Sequence, residues 1–473
     1  MTTPWSLIEM QAKVTPTALA LVTPDSAMRF SELRAAVLGV ASRLSRLPVK
    51  PGDTIGIAMA GPDDQLLFAL GAMRQGLVTA PVTSPEAFAS LERPALVLTD
   101  GSKVKADGVY TLAADASWYR AAPADIPAEV PMRRESHCRV YISSGSTGRP
   151  KAIMQDVGGL MDRILYSAMT IDSATGGRRL LSMMFPASAW GLRSALSALC
   201  AGCAVYYCRS AEDAPRFALT NGCDMLLCSV QQLRAIVEAQ QQRMFSLPEM
   251  ECIIIAGSFM PEGLVRSAQA LIAPKVMMIY GSSETGINTY GIAHMHPWED
   301  GATGFLTPWS QIRIVGEDGR DLPLGEEGEI YVRAAGQVPD LGEPATDGGR
   351  RWIRPGDRGR MDANGRLTIV GRVGSVFNLG GIKIAADRIE EVLLAHPAVK
   401  DAGAIAVRGE DGVDVIEAAV VLSAAATPDE IIAYMRKRMP SAAPRRVVIV
   451  KAIPRGGDAN KVQREDLKRM MTN

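Results

Sequence analysis

Histidine is nearly missing from this chain, with four in 473 residues, and that scarcity weighs against a metal centre built on imidazole. Cysteines number seven. Of these, Cys200, Cys203, Cys208, Cys223, Cys228 and Cys252 lie mostly in apolar segments. Cys200 and Cys203 have the spacing of a metal or redox pair, but the run around them reads as a helix end entering a buried strand, so we read these thiols as core. An excess of one charge is also lacking. The 51 Lys and Arg balance 51 Asp and Glu, so whole-chain electrostatics give no case for a nucleic-acid partner. No apolar run approaches the roughly 18 residues that a membrane span needs. The first ten residues have neither the basic stretch nor the apolar centre of a secretory signal. A cytoplasmic protein away from the membrane is expected. Internal repeats and low-complexity segments are absent as well.

What is present is apolar content, 47% of the chain, enough for a large core divided over two or more domains. Apolar residues recur with helical spacing at 31–46, where Ser31 suits an N-cap, and at 66–74, 156–171, 189–199 and 230–240. Short buried runs at 54–59, 77–82, 179–185, 225–228, 252–256 and 276–279 read as strands between them. This rhythm predicts an α/β fold, with a large N-terminal domain of two helix-covered sheets. In such folds ligands gather where strand C-termini feed glycine- and serine-bearing loops. After about residue 300 turn signals become dense between short strands, which predicts a β-rich subdomain to about 372. Residues 375–473 read as a small α+β domain, so the domains expected are 1–374 and 375–473.

One stretch organises the rest: Tyr141-Ile-Ser-Ser-Gly-Ser-Thr-Gly-Arg-Pro-Lys151. Backbone N–H groups at Gly145 and Gly148, with the hydroxyls of Ser143, Ser144, Ser146 and Thr147, can cradle phosphate oxygens, and Lys151 adds a point charge. It lacks the spacing of a Walker A loop, and Pro150 keeps Lys151 from opening a helix. Taken alone, the cluster is equally compatible with a polar surface loop. Four further stretches bear on the choice. Tyr280-Gly281-Ser282-Ser283-Glu284 follows a buried strand, with Gly281 suited to a tight turn and Glu284 to a divalent cation. Asp357 can accept from ribose hydroxyls. Arg372 precedes a glycine-rich run to Lys383 and then Arg388-Ile-Glu390, and Lys461 sits in a glycine-bearing loop near the C-terminus.

In this order and spacing the set resembles the adenylate-forming superfamily of acyl-CoA synthetases, peptide-synthetase adenylation domains and luciferases. The resemblance covers essentially the whole chain. It implies ATP, Mg²⁺ and a phosphopantetheine thiol, carried by CoA or by an acyl carrier protein. A carboxylic acid would be activated to an acyl-adenylate with release of pyrophosphate, then passed to that thiol. The residues implied in nucleotide binding are Ser143 to Gly148, Lys151, Gly257, Ser258, Tyr280 to Ser283, Asp357 and Arg372. Thr147 and Glu284 would hold the metal and Lys461 would be the catalytic lysine. Ser375 takes the hinge position between the domains, and Gly380 and Gly381 would line the thiol channel.

Several positions depart from the family's pattern. The hinge is Ser375 rather than Asp or Lys, Asn378 replaces a common Lys, Ala152 replaces a glycine, and Asn460 stands where a glycine precedes the catalytic lysine. An adenylate former with a non-thiol acceptor and a non-catalytic ATP- or acyl-binding protein therefore stay open. Amino-acid-activating relatives grip the substrate ammonium with an Asp in Phe-Asp-x-Ser. Here the stretch is Phe185-Pro186-Ala187-Ser188, which disfavours an α-amino acid. Met184, Phe185, Trp190, Cys228 and Ala256 are expected at the acyl pocket and suit an aryl or short-to-medium acyl acid. From Arg436 onward eleven Lys or Arg stand against three Asp or Glu, a surface suited to CoA phosphates or an acidic carrier protein, or simply a solvated face.

Overall fold

The computed structural model describes residues 2–83, 88–89, 91, 94–101, 109–120, 125–144, 150–170, 176–243, 246–256, 260–293, 295–296, 298–338, 351–373, 376–379, 382–408, 414–456 and 461–472. Six strands form one sheet in the order Thr111–Ala113, Leu96–Thr99, Thr54–Ala58, Val78–Pro81, His137–Ser144 and Pro150–Asp156. A second, thirteen-stranded sheet has a parallel half built from Leu19–Val22, Ala204–Tyr206, Arg179–Ser182, Met225–Ser229, Cys252–Ala256 and Lys275–Ser282. The expected β-rich region continues the same ladder in antiparallel fashion, through Gly286–Ile292, Ala302–Leu306, Arg366–Arg372, Asp357–Met361, Gly328–Ala334 and Ser310–Val315.

The parallel strands read as continuous apolar runs because both faces are covered. Leu227, Ile254 and Ile279 pack on one face with Leu192 and Leu196 of the Ala189–Cys200 helix. Leu226, Cys228, Ile253 and Ile255 pack on the other with Leu233 and Ile236 of the Val230–Arg243 helix. Each fully buried Leu or Ile stabilises such a layer by roughly 1.5–3 kcal/mol before conformational entropy is counted. Helix ends follow local chemistry. Thr3 and Ser6 form a reciprocal capping box at the Pro4–Val14 helix, and Thr427 and Glu430 do the same at Pro428–Arg438, which closes on Arg436, Lys437 and Arg438. Ser31 is not an N-cap. The helix runs Phe30–Leu44 because the Glu32 carboxylate reaches back to accept from the Arg29 N–H at 2.7 Å, which places the cap at Arg29.

The C-terminal region is a small α+β domain. Val399–Arg408 and Asp414–Leu422 pair antiparallel, Arg446–Ile449 joins parallel, and Ala386–Leu394 and Pro428–Arg438 pack on the sheet. Arg388 pairs with Glu391 at 2.8 Å and also with Asp300 of the large domain. Among the described residues no helix is long and apolar enough to cross a membrane.

A candidate nucleotide and acid site

Two motifs that lie far apart in the chain meet at the end of the Lys275–Ser282 strand. Tyr280 Oη donates to Asp357 Oδ2 at 3.0 Å, in a buried position where both residues are 9% exposed. Asp357 opens its own strand directly opposite Arg372, so backbone register brings the Asp357 and Arg372 motifs together, and the side-chain hydrogen bond adds Tyr280. The Arg372 side chain lies outside the described residues.

Gly281 has a different role from the tight turn expected of it. The strand continues to Ser282 and hairpins back through Gly286–Ile292, with a bulge at Tyr280 and Gly281. A Cβ on Gly281 would sit 1.8 Å from the Gly286 carbonyl oxygen. Glycine is therefore needed for the close approach of two strands. The turn itself is fixed by Ser282, whose Oγ accepts from the Thr285 N–H at 3.1 Å and lies 2.9 Å from the Thr285 hydroxyl. Asn288 Nδ2 donates to that same hydroxyl oxygen at 2.8 Å.

Arginines that sequence reasoning missed hold this architecture in place. Arg163, 3% exposed, donates from Nε to Gly336 O at 2.9 Å, from Nη1 to Ser283 O at 2.8 Å and from Nη2 to Glu284 O. The Glu284 carbonyl also accepts from the Val338 N–H at 2.9 Å. The Glu284 backbone is thus clamped, and its half-buried carboxylate makes no hydrogen bond or ion pair among the described residues. A hard oxygen donor on a rigid backbone fits a divalent cation. Arg139, fully buried, donates from Nη2 to Pro186 O at 3.3 Å and Ala187 O at 3.2 Å. It thereby sets the Phe185–Ser188 stretch against the His137–Ser144 strand. Ser188 then caps the Ala189–Cys200 helix, accepting from the Gly191 N–H at 2.8 Å.

Met184 and Ala187 are buried, while Phe185 and Trp190 are half-buried. Met184, Trp190 and Ala256 belong to one apolar cluster. Cys228 does not join them. Strand alternation turns it to the opposite face of the sheet, where it is fully buried beside Ile255 and Met278, and the residue of that strand facing Met184 and Trp190 is Leu227. Burial pushes the Cys228 thiol far above the usual cysteine range, and likewise that of Cys200, to about 12. The six core cysteines of the sequence reading are all buried or half-buried.

The phosphate-loop residues Gly145, Ser146, Thr147 and Gly148 lie outside the described residues, as do Gly257, Ser258, Ser375, Gly380 and Gly381. The flanks of that loop are placed: Ser143 pairs with Lys151, and Ser144 with Pro150, across an antiparallel ladder. For these, and for Lys461, only the backbone is described. Lys461 pairs with Gly456 in a hairpin held by ion pairs on both flanks. Arg455 Nη2 contacts Asp401 at 2.5 Å, and Arg464 Nη2 contacts Asp387 at 3.0 Å and Glu390 at 3.1 Å.

Comparison with known proteins accords with this arrangement. The chain is 25% identical to a 4-chlorobenzoate–CoA ligase from Arthrobacter sp, over 99% of its own length and 95% of the relative's. It is 26% identical to a 2-succinylbenzoate–CoA ligase from Bacillus subtilis, over 97% and 96%. In fold it is similar to O-succinylbenzoate coenzyme A synthetase from Bacillus subtilis, solved with ATP and magnesium ion. The TM-score is 0.84 at 23% identity, with 99% of each chain covered. The family model for AMP-binding enzymes matches residues 8–339, and that for their C-terminal domain matches residues 388–459. The chain belongs to the AMP-binding enzymes of the adenylate-forming superfamily.

Proposed function

We propose that this protein is an ATP-dependent acid–thiol ligase acting on an aryl or short-to-medium acyl carboxylic acid. The observation that carries the reading is the Tyr280–Asp357 hydrogen bond, which joins two motifs 77 residues apart at one strand end. Tyr280 and Asp357 would hold the nucleoside, the Asp357 carboxylate accepting from ribose hydroxyls. The Ser143–Gly148 loop and Lys151 would hold the β- and γ-phosphates. The named acids of two relatives, 4-chlorobenzoate and 2-succinylbenzoate, are aromatic carboxylates, which agrees with the Met184, Phe185 and Trp190 wall.

In the first half-reaction a carboxylate oxygen attacks the α-phosphorus of ATP, the P–O bond to pyrophosphate breaks, and pyrophosphate leaves with the bonding pair. Lys461 would neutralise charge shared by the carboxylate and the α-phosphate as that bond forms. Mg²⁺, when bound, offsets phosphate charge, and Glu284 with Thr147 would hold it. In the second half-reaction a pantetheine thiol, losing its proton, attacks the acyl carbon and releases AMP. The thiol would come from CoA or a carrier protein.

Carboxylate-dependent ATP–pyrophosphate exchange tests the first step, with aryl acids, fatty acids of graded length and amino acids as the panel. Exchange with one acid class supports the reading. Binding of ATP without exchange for any acid makes the chain a nucleotide binder instead. Thioester formation with CoA against a phosphopantetheinylated carrier then distinguishes the acceptors.

A further inference from the structure

Three arginines around the site are at most 5% exposed: Arg139, Arg163 and Arg193. The first two donate to backbone carbonyls, as described above. Arg193 does not. Its Nε is buried with no hydrogen-bond partner, and no carboxylate pairs with it among the described residues. What it touches is the face of Trp190, 4.5 Å from its guanidinium carbon. Among the described residues the titratable groups within electrostatic reach are Arg163, which repels it, and the phenol of Tyr141, which burial keeps neutral.

Magnitudes decide what such a group is for. A cation over an indole gains roughly 0.5–2 kcal/mol. Leaving a charge buried without a counter-ion costs several kcal/mol. The stacking alone therefore does not account for a buried guanidinium beside a second one. Burial and Arg163 hold the Arg193 guanidinium at about 9, far below its ordinary value, yet still charged near neutral pH. A ligand that brings a negative charge to Arg193 offsets that cost.

The position fits this. Arg193 lies one helical turn beyond Trp190 on the Ala189–Cys200 helix, so both side chains share one face of that helix. Across from it stands Gly286, at φ +76°, and the Nη1 of Arg193 is 3.6 Å from where a Gly286 Cβ would sit. A Cβ at Gly286 would already be in van der Waals contact with the guanidinium, so a larger side chain there would crowd it. Trp190 belongs to the apolar cluster of Met184 and Ala256, and Gly286 lies opposite Ser282 in the hairpin, so Arg193 stands where the acyl wall meets the end of the Tyr280–Glu284 motif.

We infer that Arg193 forms a subsite for a second carboxylate, and that the acids this chain activates carry one carboxylate for adenylation and another at the distal end of the acyl group. The inference rests on the acid-activating reading above and narrows its substrate class. A planar guanidinium matches a carboxylate through two parallel N–H···O bonds, which an ammonium cannot reproduce. The same cation repels a substrate ammonium, in keeping with Pro186 standing where amino-acid activators place Asp.

The test is pyrophosphate exchange with matched pairs, benzoate against phthalate and terephthalate, hexanoate against adipate, for the wild type, Arg193→Met and Arg193→Lys. The wild type is expected to prefer a diacid. Arg193→Met should lower kcat/KM for that diacid by about 10- to 100-fold, mostly through KM, while sparing or improving the monoacid. Arg193→Lys should recover part of the preference. Wild-type preference for the monoacids, or an equal loss for both members of a pair in folded Arg193→Met, overturns the subsite while leaving acid activation in place. If no acid supports exchange, the activating reading fails. Calorimetric binding of the diacids to wild type and Arg193→Met then decides the subsite separately: binding lost in the variant supports it, and equal or no binding overturns it.

Discussion

Tyr280 Oη and Asp357 Oδ2 are 3.0 Å apart in a buried hydrogen bond that ties the end of one strand to the start of another. The bond orients a carboxylate that the proposed site needs for ribose. Tyr280→Phe removes the donor to Asp357 Oδ2 and loosens the orientation of that carboxylate, so we expect a higher KM for ATP with kcat largely kept. Asp357→Ala removes the acceptor itself and should raise that KM by about 10- to 100-fold, the range for a hydrogen bond to a charged group. Exchange kinetics at varied ATP check both. An unchanged KM in Asp357→Ala would remove this residue from the nucleotide site.

Lys461 allows the two half-reactions to be separated. Its backbone lies in the hairpin with Gly456, pinned by Arg455 and Arg464, so substitution of the lysine leaves the hairpin's anchors intact. Lys461→Ala should abolish adenylate formation from free acid and largely spare thioester formation from a supplied acyl-adenylate. Equal failure of both in a folded variant removes the assigned role.

Local chemistry made much of this legible. The run Cys252–Ala256 reads as a strand from its apolar continuity and is one, and the segments flanking the Gly/Ser/Thr stretch are two paired strands. What escaped the sequence depends on partners remote in the chain. Arg163 is one arginine in an amphipathic helix, and nothing nearby tells that its guanidinium meets carbonyls at Ser283, Glu284 and Gly336. Arg139 and Arg193 escaped for the same reason. Cys228 shows a second kind of limit: alternation says that neighbours Leu227 and Cys228 face opposite ways, but only the packed helices say which face holds the pocket. Gly281 shows a third, since a glycine needed for strand approach looks the same as one needed for a turn.

Glu390 gives a pH-dependent signature. It is buried, accepts from the Ala404 N–H at 2.9 Å and pairs with Arg464 at 3.1 Å. Burial outweighs Arg464 and raises its carboxyl to about 7. An acid whose folded-state value is raised holds its proton in the native state after the unfolded chain has lost it, so its contribution is full below about 4.3 and lost as pH rises through about 7. Comparison of wild type with Glu390→Gln isolates the term. The variant's thermal stability should decline less between pH 5 and 7 than the wild type's. Parallel profiles would place the Glu390 carboxyl near its ordinary value.

Arg163 links the fold to the metal. Its three N–H groups hold the backbone on which Glu284 stands, and the Glu284 carboxylate is the oxygen donor proposed for Mg²⁺. Arg163→Met removes three hydrogen bonds, to the carbonyls of Gly336, Ser283 and Glu284, of which that of Glu284 keeps the Val338 N–H. Each lost charge-assisted bond costs about 1.5–3 kcal/mol before the turn relaxes, and relaxation moves Glu284. Asp357 and Tyr280 are held by their own strands and should keep their geometry. The expected result is a selective one: nucleotide binding without metal stays near wild type, while the Mg²⁺ concentration for half-maximal pyrophosphate exchange rises. Calorimetry with ATP in chelator and a Mg²⁺ titration of exchange read the two separately. If the Mg²⁺ dependence of a folded Arg163→Met is unchanged, Glu284 is not held for the metal by Arg163, and the clamp serves the stability of the hairpin alone.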